Sequence, residues 1–218
     1  MIVAVGGIKG GSGKTTVATN LTIMRATQGR DVLLIDADDQ ETAADFSVLR
    51  NDQLPNGAGY TVTRLIGPAV RTETIRFSEK YDDIVIDIGG RDTISQRAAV
   101  LVADIFLVPF VPRSFDVWTL EKVSKIVEEV RMLNPSLQAY AFLNRADPRG
   151  SYNKDAAEYI CRTTVLKFID AKLGTRNAFA NAASQGLSVT ELGSPDLKAI
   201  EEIGSLYRQV FGFQAGGC

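Results

Sequence analysis

Residues 6–16 read Gly6-Gly7-Ile8-Lys9-Gly10-Gly11-Ser12-Gly13-Lys14-Thr15-Thr16, and this stretch decides the fold. The β-branched run 2–6 leads into it, and a helical pattern over 14–28 follows, with Val17, Leu21 and Met24 on one stripe. A glycine-rich turn between a strand and a helix lets successive backbone N–H groups converge on phosphate oxygens, and the helix N-terminus adds partial positive charge. Within such a loop Lys14 reaches the outer phosphates and the Thr15 hydroxyl ligates Mg²⁺. The common G-x-x-x-x-G-K-[ST] spacing is not met, because Ile8 stands where its first glycine belongs. The segment reads K-G-G-x-G-K-T, with a second lysine, Lys9, five residues before Lys14.

Outward from the loop, strand-like runs at 31–36, 83–88, 104–108 and 138–144, and a weaker one at 165–169, alternate with helical patterns. The clearest of these helices are 14–28, 115–133 and 195–211. Most of the strand runs are nearly continuous in Val, Ile, Leu and Phe, as in strands covered on both faces. Strand alternating with helix predicts an α/β fold with a doubly wound, mostly parallel sheet flanked by helices. The turn-rich stretch 51–59 reads as a surface loop, and residues 1–218 read as a single domain. The run 83–87, Asp83-Ile84-Val85-Ile86-Asp87, places an aspartate directly behind three apolar residues, so Asp87 is a candidate Mg²⁺ ligand through water. An incidental acid at the end of a buried strand fits the same residues.

The chain has 218 residues, 24 basic and 26 acidic side chains, and no histidine. Without histidine there is no Ser-His-Asp or Cys-His nucleophile pair and no imidazole metal site. Two cysteines, Cys161 and Cys218, make neither a disulfide framework nor a Cys-x-x-Cys site, which places the chain in a reducing cytoplasm. No apolar run approaches the length of a membrane span, and the N-terminus lacks the basic region of a signal peptide.

K-G-G-S-G-K-T-T resembles the deviant Walker A motif of the ParA/MinD family of P-loop ATPases, and small ParA-type partition ATPases are the subgroup most similar. The resemblance implies ATP and Mg²⁺ as ligands, with Gly10, Gly11, Ser12, Gly13, Lys14, Thr15 and Thr16 around the phosphates. It implies that Lys9 crosses an ATP-sandwich homodimer to the partner's nucleotide, as an arginine finger does. Residues 36–40, Asp36-Ala37-Asp38-Asp39-Gln40, resemble the family's D-x-D-P-Q. Asp38 then positions the attacking water and Asp36 lies nearer the metal, while Asp39 replaces the usual proline. The same acids also suit a strand end followed by an acidic helix start. Ile88-Gly89-Gly90-Arg91-Asp92 replaces the proline-containing turn of many relatives and still permits a switch-like loop. Residues 108–116 resemble the family's proline-rich segment before a long helix, and equally suit helix capping by Ser114 or Asp116. Asn144 corresponds to an asparagine that contacts adenine, although it also suits a simple turn of the chain.

Residues 145–176 hold seven cations against four acids within a chain of net charge −2. By the resemblance, Arg145, Arg149, Lys154, Lys167, Lys172 and Arg176 are candidates for non-specific DNA contact, which positions a protein without reading sequence. An ordinary mixed-charge surface is the alternative for each. The first strand begins at Ile2, so no N-terminal DNA-reading domain is expected. The implied function is a weak, partner-stimulated ATP hydrolase, cytoplasmic and nucleoid-associated. It dimerises on ATP, binds DNA and positions a plasmid, chromosome or protein cargo through a cargo-bound adaptor. Two alternatives are a MinD-like membrane-associated regulator and a metabolic P-loop ligase or kinase. The tail 205–214 has a single cation and an early glycine, unlike a basic amphipathic membrane helix, so no membrane contact is expected. Lys9 within K-G-G speaks against the metabolic enzymes.

Overall fold

The computed structural model describes residues 1–114, 117–147, 150 and 152–212. Among the described residues, seven parallel strands form one sheet in the order β3-β2-β4-β1-β5-β6-β7. They are β1 (Ile2–Val5), β2 (Val32–Ala37), β3 (Thr61–Arg64), β4 (Asp83–Ile88), β5 (Ile105–Phe110), β6 (Gln138–Leu143) and β7 (Lys167–Phe168). The helices are α1 (Lys14–Thr27), α2 (Thr42–Gln53), α3 (Ala69–Phe77), α4 (Ile94–Val102), α5 (Val117–Arg131), α6 (Tyr152–Cys161), α7 (Asn177–Ala183) and α8 (Leu197–Phe211).

The continuous apolar runs are explained by what covers them. Along each central strand, alternate side chains enter two different cores. Ala4, Leu33, Ile35, Ile84, Ile86, Phe106 and Val108 face the layer holding Val70 of α3, Ala99 of α4 and Val123 and Val127 of α5. Val3, Val5, Leu34, Val85, Leu107 and Phe142 face Val17 and Leu21 of α1 and Ile203, Leu206 and Val210 of α8. A sheet buried on both faces has no polar side, so the strands show no polar alternation.

The sequence reading and the structure differ where elements are short. Thr61–Arg64 was not expected as a strand. It is a four-residue edge strand with only half-buried and exposed side chains, so it lacks the apolar run that marks the others. Helices α2, α3, α4, α6 and α7 were also not resolved by pattern. In α2 the buried residues Ala43, Ser47 and Arg50 share one face at i, i+4 and i+7, but two of the three are polar, so no apolar stripe marks the helix. The predicted loop 51–59 therefore starts late, since α2 continues to Gln53. The weak strand at 165–169 shrinks to Lys167 and Phe168. Residues 115 and 116 of the proline-rich segment lie outside the described residues, and a 3₁₀ turn, Pro112–Ser114, precedes them.

β1 lies at the centre, between β4 and β5. Parallel strands present their carboxyl ends on one edge, and a ligand crevice opens there where the connections diverge. The phosphate-type loop after β1, the acids ending β2 and β4, and Asn144 after β6 all sit on that edge.

Candidate nucleotide site

The loop 6–13 leaves β1 through Gly6, where a Cβ would lie 2.7 Å from the Phe106 ring and 2.9 Å from Ile88. Gly11 and Gly13 have φ of 73° and 84°, a region open to glycine. Gly13 precedes α1 without any side-chain cap, so the first N–H groups of α1 remain available to an anion. Lys14 is buried and its Nζ donates to the Lys9 carbonyl at 3.1 Å, folding the side chain back over the loop. Burial lowers the Lys14 pKa, while Asp87 and then Asp38 oppose that shift.

The carboxylates divide into different tasks. Asp36 and Asp87 are register partners on β2 and β4. Both oxygens of Asp36 are engaged by backbone, from the Asp38 N–H at 3.0 Å and the Ala44 N–H at 2.8 Å. It braces the turn that carries Asp38 into α2. Burial raises its pKa, and those backbone bonds hold the rise back. Asp38 is half-buried, accepts from the Gln40 N–H at 3.2 Å and lines the cleft beside exposed Asp39.

Asp87 is fully buried, and among the described residues neither of its oxygens has a partner in hydrogen-bond geometry. Burial pushes it up from 3.8 to about 7; the nearby Thr15 hydroxyl and Lys14 pull it down, and Asp36 and Asp38 push it further up. A raised carboxylate pKa means that the folded chain holds the proton more tightly than the unfolded one. The nucleotide-free protein should therefore have this stabilisation in full below about pH 4 and lose it as pH rises through about 7. Asp87→Asn should flatten that slope, which is about 1.4 kcal/mol per pH unit at most. Urea unfolding from pH 4 to 8 measures it, and parallel profiles for the two proteins would contradict this reading.

Together these elements wall a cleft of about 710 Å³, within the range of small-molecule sites. Gly89, Gly90 and Arg91 close one side, and Arg145 stands at another. Gly90 lies directly on the phosphate loop, since a Cβ there would come within 2.9 Å of the Gly10 backbone. Gly89 abuts Asp38, whose Oδ1 would be 2.8 Å from an added Cβ.

Asn144 does not line this cleft. Its Nδ2 donates to the Ser12 carbonyl at 2.7 Å and its Oδ1 accepts from the Arg145 N–H at 2.9 Å. The side chain is buried against Gly13 and thus supports the phosphate loop from behind. Asn144→Ala should lower stability by about 1–3 kcal/mol, the cost of a buried carbonyl left unpaired. It should also weaken ATP and GTP to the same degree in titrations with both. A loss confined to ATP would instead make Asn144 a reader of the base.

The cations expected at DNA are not all brought together. Lys154, Arg162 and Lys172 line one open groove of about 510 Å³ beside α6. Lys154 lies 3.8 Å from Glu158 and Lys172 3.4 Å from Asp170. Lys167 is exposed on β7, Arg145 faces the nucleotide-sized cleft, and Arg149 lies outside the described residues. Arg176 is gripped by both oxygens of Glu202, at 2.8 and 2.5 Å. Lys9 and Ser12 border a small gap next to Thr119 and Val123 of α5. Sequence reasoning did not single out Thr42, Thr93 and Ser95 on the cleft wall. Arg91 lies in the Gly89-Gly90-Arg91-Asp92 turn, whose paired glycines are its signal in the sequence.

Residues 3–189 match the family described as CbiA, the CobQ/CobB/MinD/ParA nucleotide binding domain. Maintenance of carboxysome distribution protein A of Gloeobacter kilaueensis is 31% identical over 193 residues, covering 87% of this chain and 84% of that protein. The protein of the same name from Halothiobacillus neapolitanus is 26% identical over 209 residues, covering 95% and 94%. Among solved structures, apo McdA of Cyanothece superposes with a TM-score of 0.75 at 22% identity, covering 94% of this chain and 98% of that one. With the motif, the parallel sheet and the match over residues 3–189 in agreement, the chain belongs to the CobQ/CobB/MinD/ParA nucleotide-binding family.

Proposed function

We propose that this protein is a ParA-type ATPase that dimerises on ATP, binds DNA without sequence preference and positions a cargo through repeated binding and release. The observation that carries this reading is the phosphate loop with buried Lys14 folded back over it and Asp38 at the cleft wall. Lys14 supplies fixed positive charge to the outer phosphates. Asp38, half-buried and accepting from the Gln40 N–H, is assigned the orienting of a water. Lys9, from the extra-lysine position, is assigned to the partner's nucleotide, which ties hydrolysis to dimerisation.

A divalent cation fits the unpartnered Asp87 carboxylate beside Thr15. When bound it would neutralise charge on the phosphates. Among the described residues no cluster of three acidic, cysteine or histidine side chains is set for a metal. Asp87 and Thr15 would therefore hold Mg²⁺ with help from phosphate oxygens and water, and Asp36 would act as the brace of Asp38.

For DNA, the Lys154–Arg162–Lys172 groove and exposed Lys167 are the favoured contacts. Arg176 is better read as the anchor of α7 to α8 through Glu202. The carboxysome-distribution relatives favour a protein assembly, carried through an adaptor, as the cargo. Among the described residues no helix is long and apolar enough to cross a membrane. The apolar face of α8, including Ile203, Leu206 and Val210, is spent in the core, which weighs against a membrane-surface role for that helix. Light scattering tests the dimer. Mass should double from 23.6 kDa with a non-hydrolysable ATP analogue and stay monomeric with ADP, and a monomer in both would refute the proposal.

A further inference from the structure

Gln96 lies in the first turn of α4 and is wholly buried. Its amide faces two carbonyl oxygens, so the nitrogen is the atom that belongs there. In that orientation it donates to Gly7 at 3.2 Å and to Arg91 at 2.8 Å. These two acceptors belong to different walls of the cleft, the phosphate loop and the 89–92 turn. The adjacent residue holds the far end of the same turn. Arg97 grips both oxygens of Asp92, at 2.8 and 2.9 Å, and reaches Glu129 of α5 at 2.6 Å. The turn is thus pinned from behind while Gly90 rests on the Gly10 backbone in front.

We propose that Gln96 is a positioning residue that couples the 89–92 turn to the phosphate loop, so that the outermost phosphate of ATP is sensed by both walls together. The inference rests on the ATPase reading above. One buried amide bridges two loops, so displacement of one loop must move the other or leave the buried Gln96 amide short of a partner. ADP and ATP share the phosphates that the loop 10–16 would hold, and differ at the end of the cleft that the turn closes. Loss of the bridge should therefore spare ADP and impair the response to ATP.

The test uses the full chain carrying Gln96→Met, which keeps length and removes both donors, and Gln96→Glu as a second variant of the same shape. Fluorescent ADP should bind within about threefold of wild type. The concentration of ATP analogue needed for half-maximal dimerisation should rise by about tenfold or more, the effect of a buried hydrogen bond left unmade. Dimerisation within threefold of wild type overturns the coupling, and so does an equal fall in ADP and analogue affinity. Circular dichroism checks folding, and if one variant is unfolded the other decides by the same criteria. Failure of wild type to dimerise with the analogue overturns the parent reading as well, whereas unaltered dimerisation of the variants overturns the coupling alone.

Discussion

Lys14→Ala should reduce ATP affinity by at least about 100-fold, because it removes two or more charge-assisted hydrogen bonds to phosphate worth about 1.5–3 kcal/mol each. The effect is large because of where the ammonium sits. Lys14 is buried, held to the Lys9 carbonyl and close to Asp87 and Asp38, so its charge is fixed at the phosphate loop. Burial alone disfavours the charged amine, and phosphate is the ligand that offsets that cost. Calorimetric titration with ATP measures the loss. Thermal melts of the nucleotide-free variant separate this loss from unfolding. Affinity within tenfold of wild type would mean that the cleft does not hold phosphates at Lys14.

Asp38→Ala should act on a different step. It should lower ATP turnover by about 100-fold or more, in the range expected for loss of a positioned acid–base group, while ATP binding and the dimer persist. The contrast with Asp36 gives this its force. Asp36 spends both oxygens on the Asp38 and Ala44 N–H groups, whereas Asp38 makes one local bond to the Gln40 N–H and presents itself to the cleft. Phosphate release measures turnover, and light scattering after ATP addition should show a dimer that outlives the wild-type one. A variant that turns over ATP normally would remove Asp38 from the chemistry.

The strands were legible because five of the seven are near-continuous apolar runs, a consequence of helices on both faces. β3 was not, since a four-residue edge strand buries little. The phosphate loop was legible because its chemistry is local: glycine torsions, a lysine and hydroxyls on one turn. Other parts of the site depend on partners distant in the chain. Asn144 meets Ser12 across 132 residues, and nothing in an asparagine after a strand says which carbonyl it will find. Gln96 carries no motif at all, and its place follows from how α4 packs against the central strands β4 and β1. The basic stretch 145–176 was legible as composition but not as a surface. The sequence does not show that Glu202 of α8 will hold Arg176 or that Arg145 will face the cleft.

The central claim is an ATP-dependent switch in DNA binding, and a gel-shift titration with non-specific duplex DNA tests it most directly. With ATP and Mg²⁺ the protein should retard DNA, and its affinity should fall steeply and log-linearly as salt is raised. With ADP it should not bind, and anionic vesicles should capture it in neither state. Equal retardation with ATP and ADP, or vesicle binding in place of DNA binding, would contradict the account.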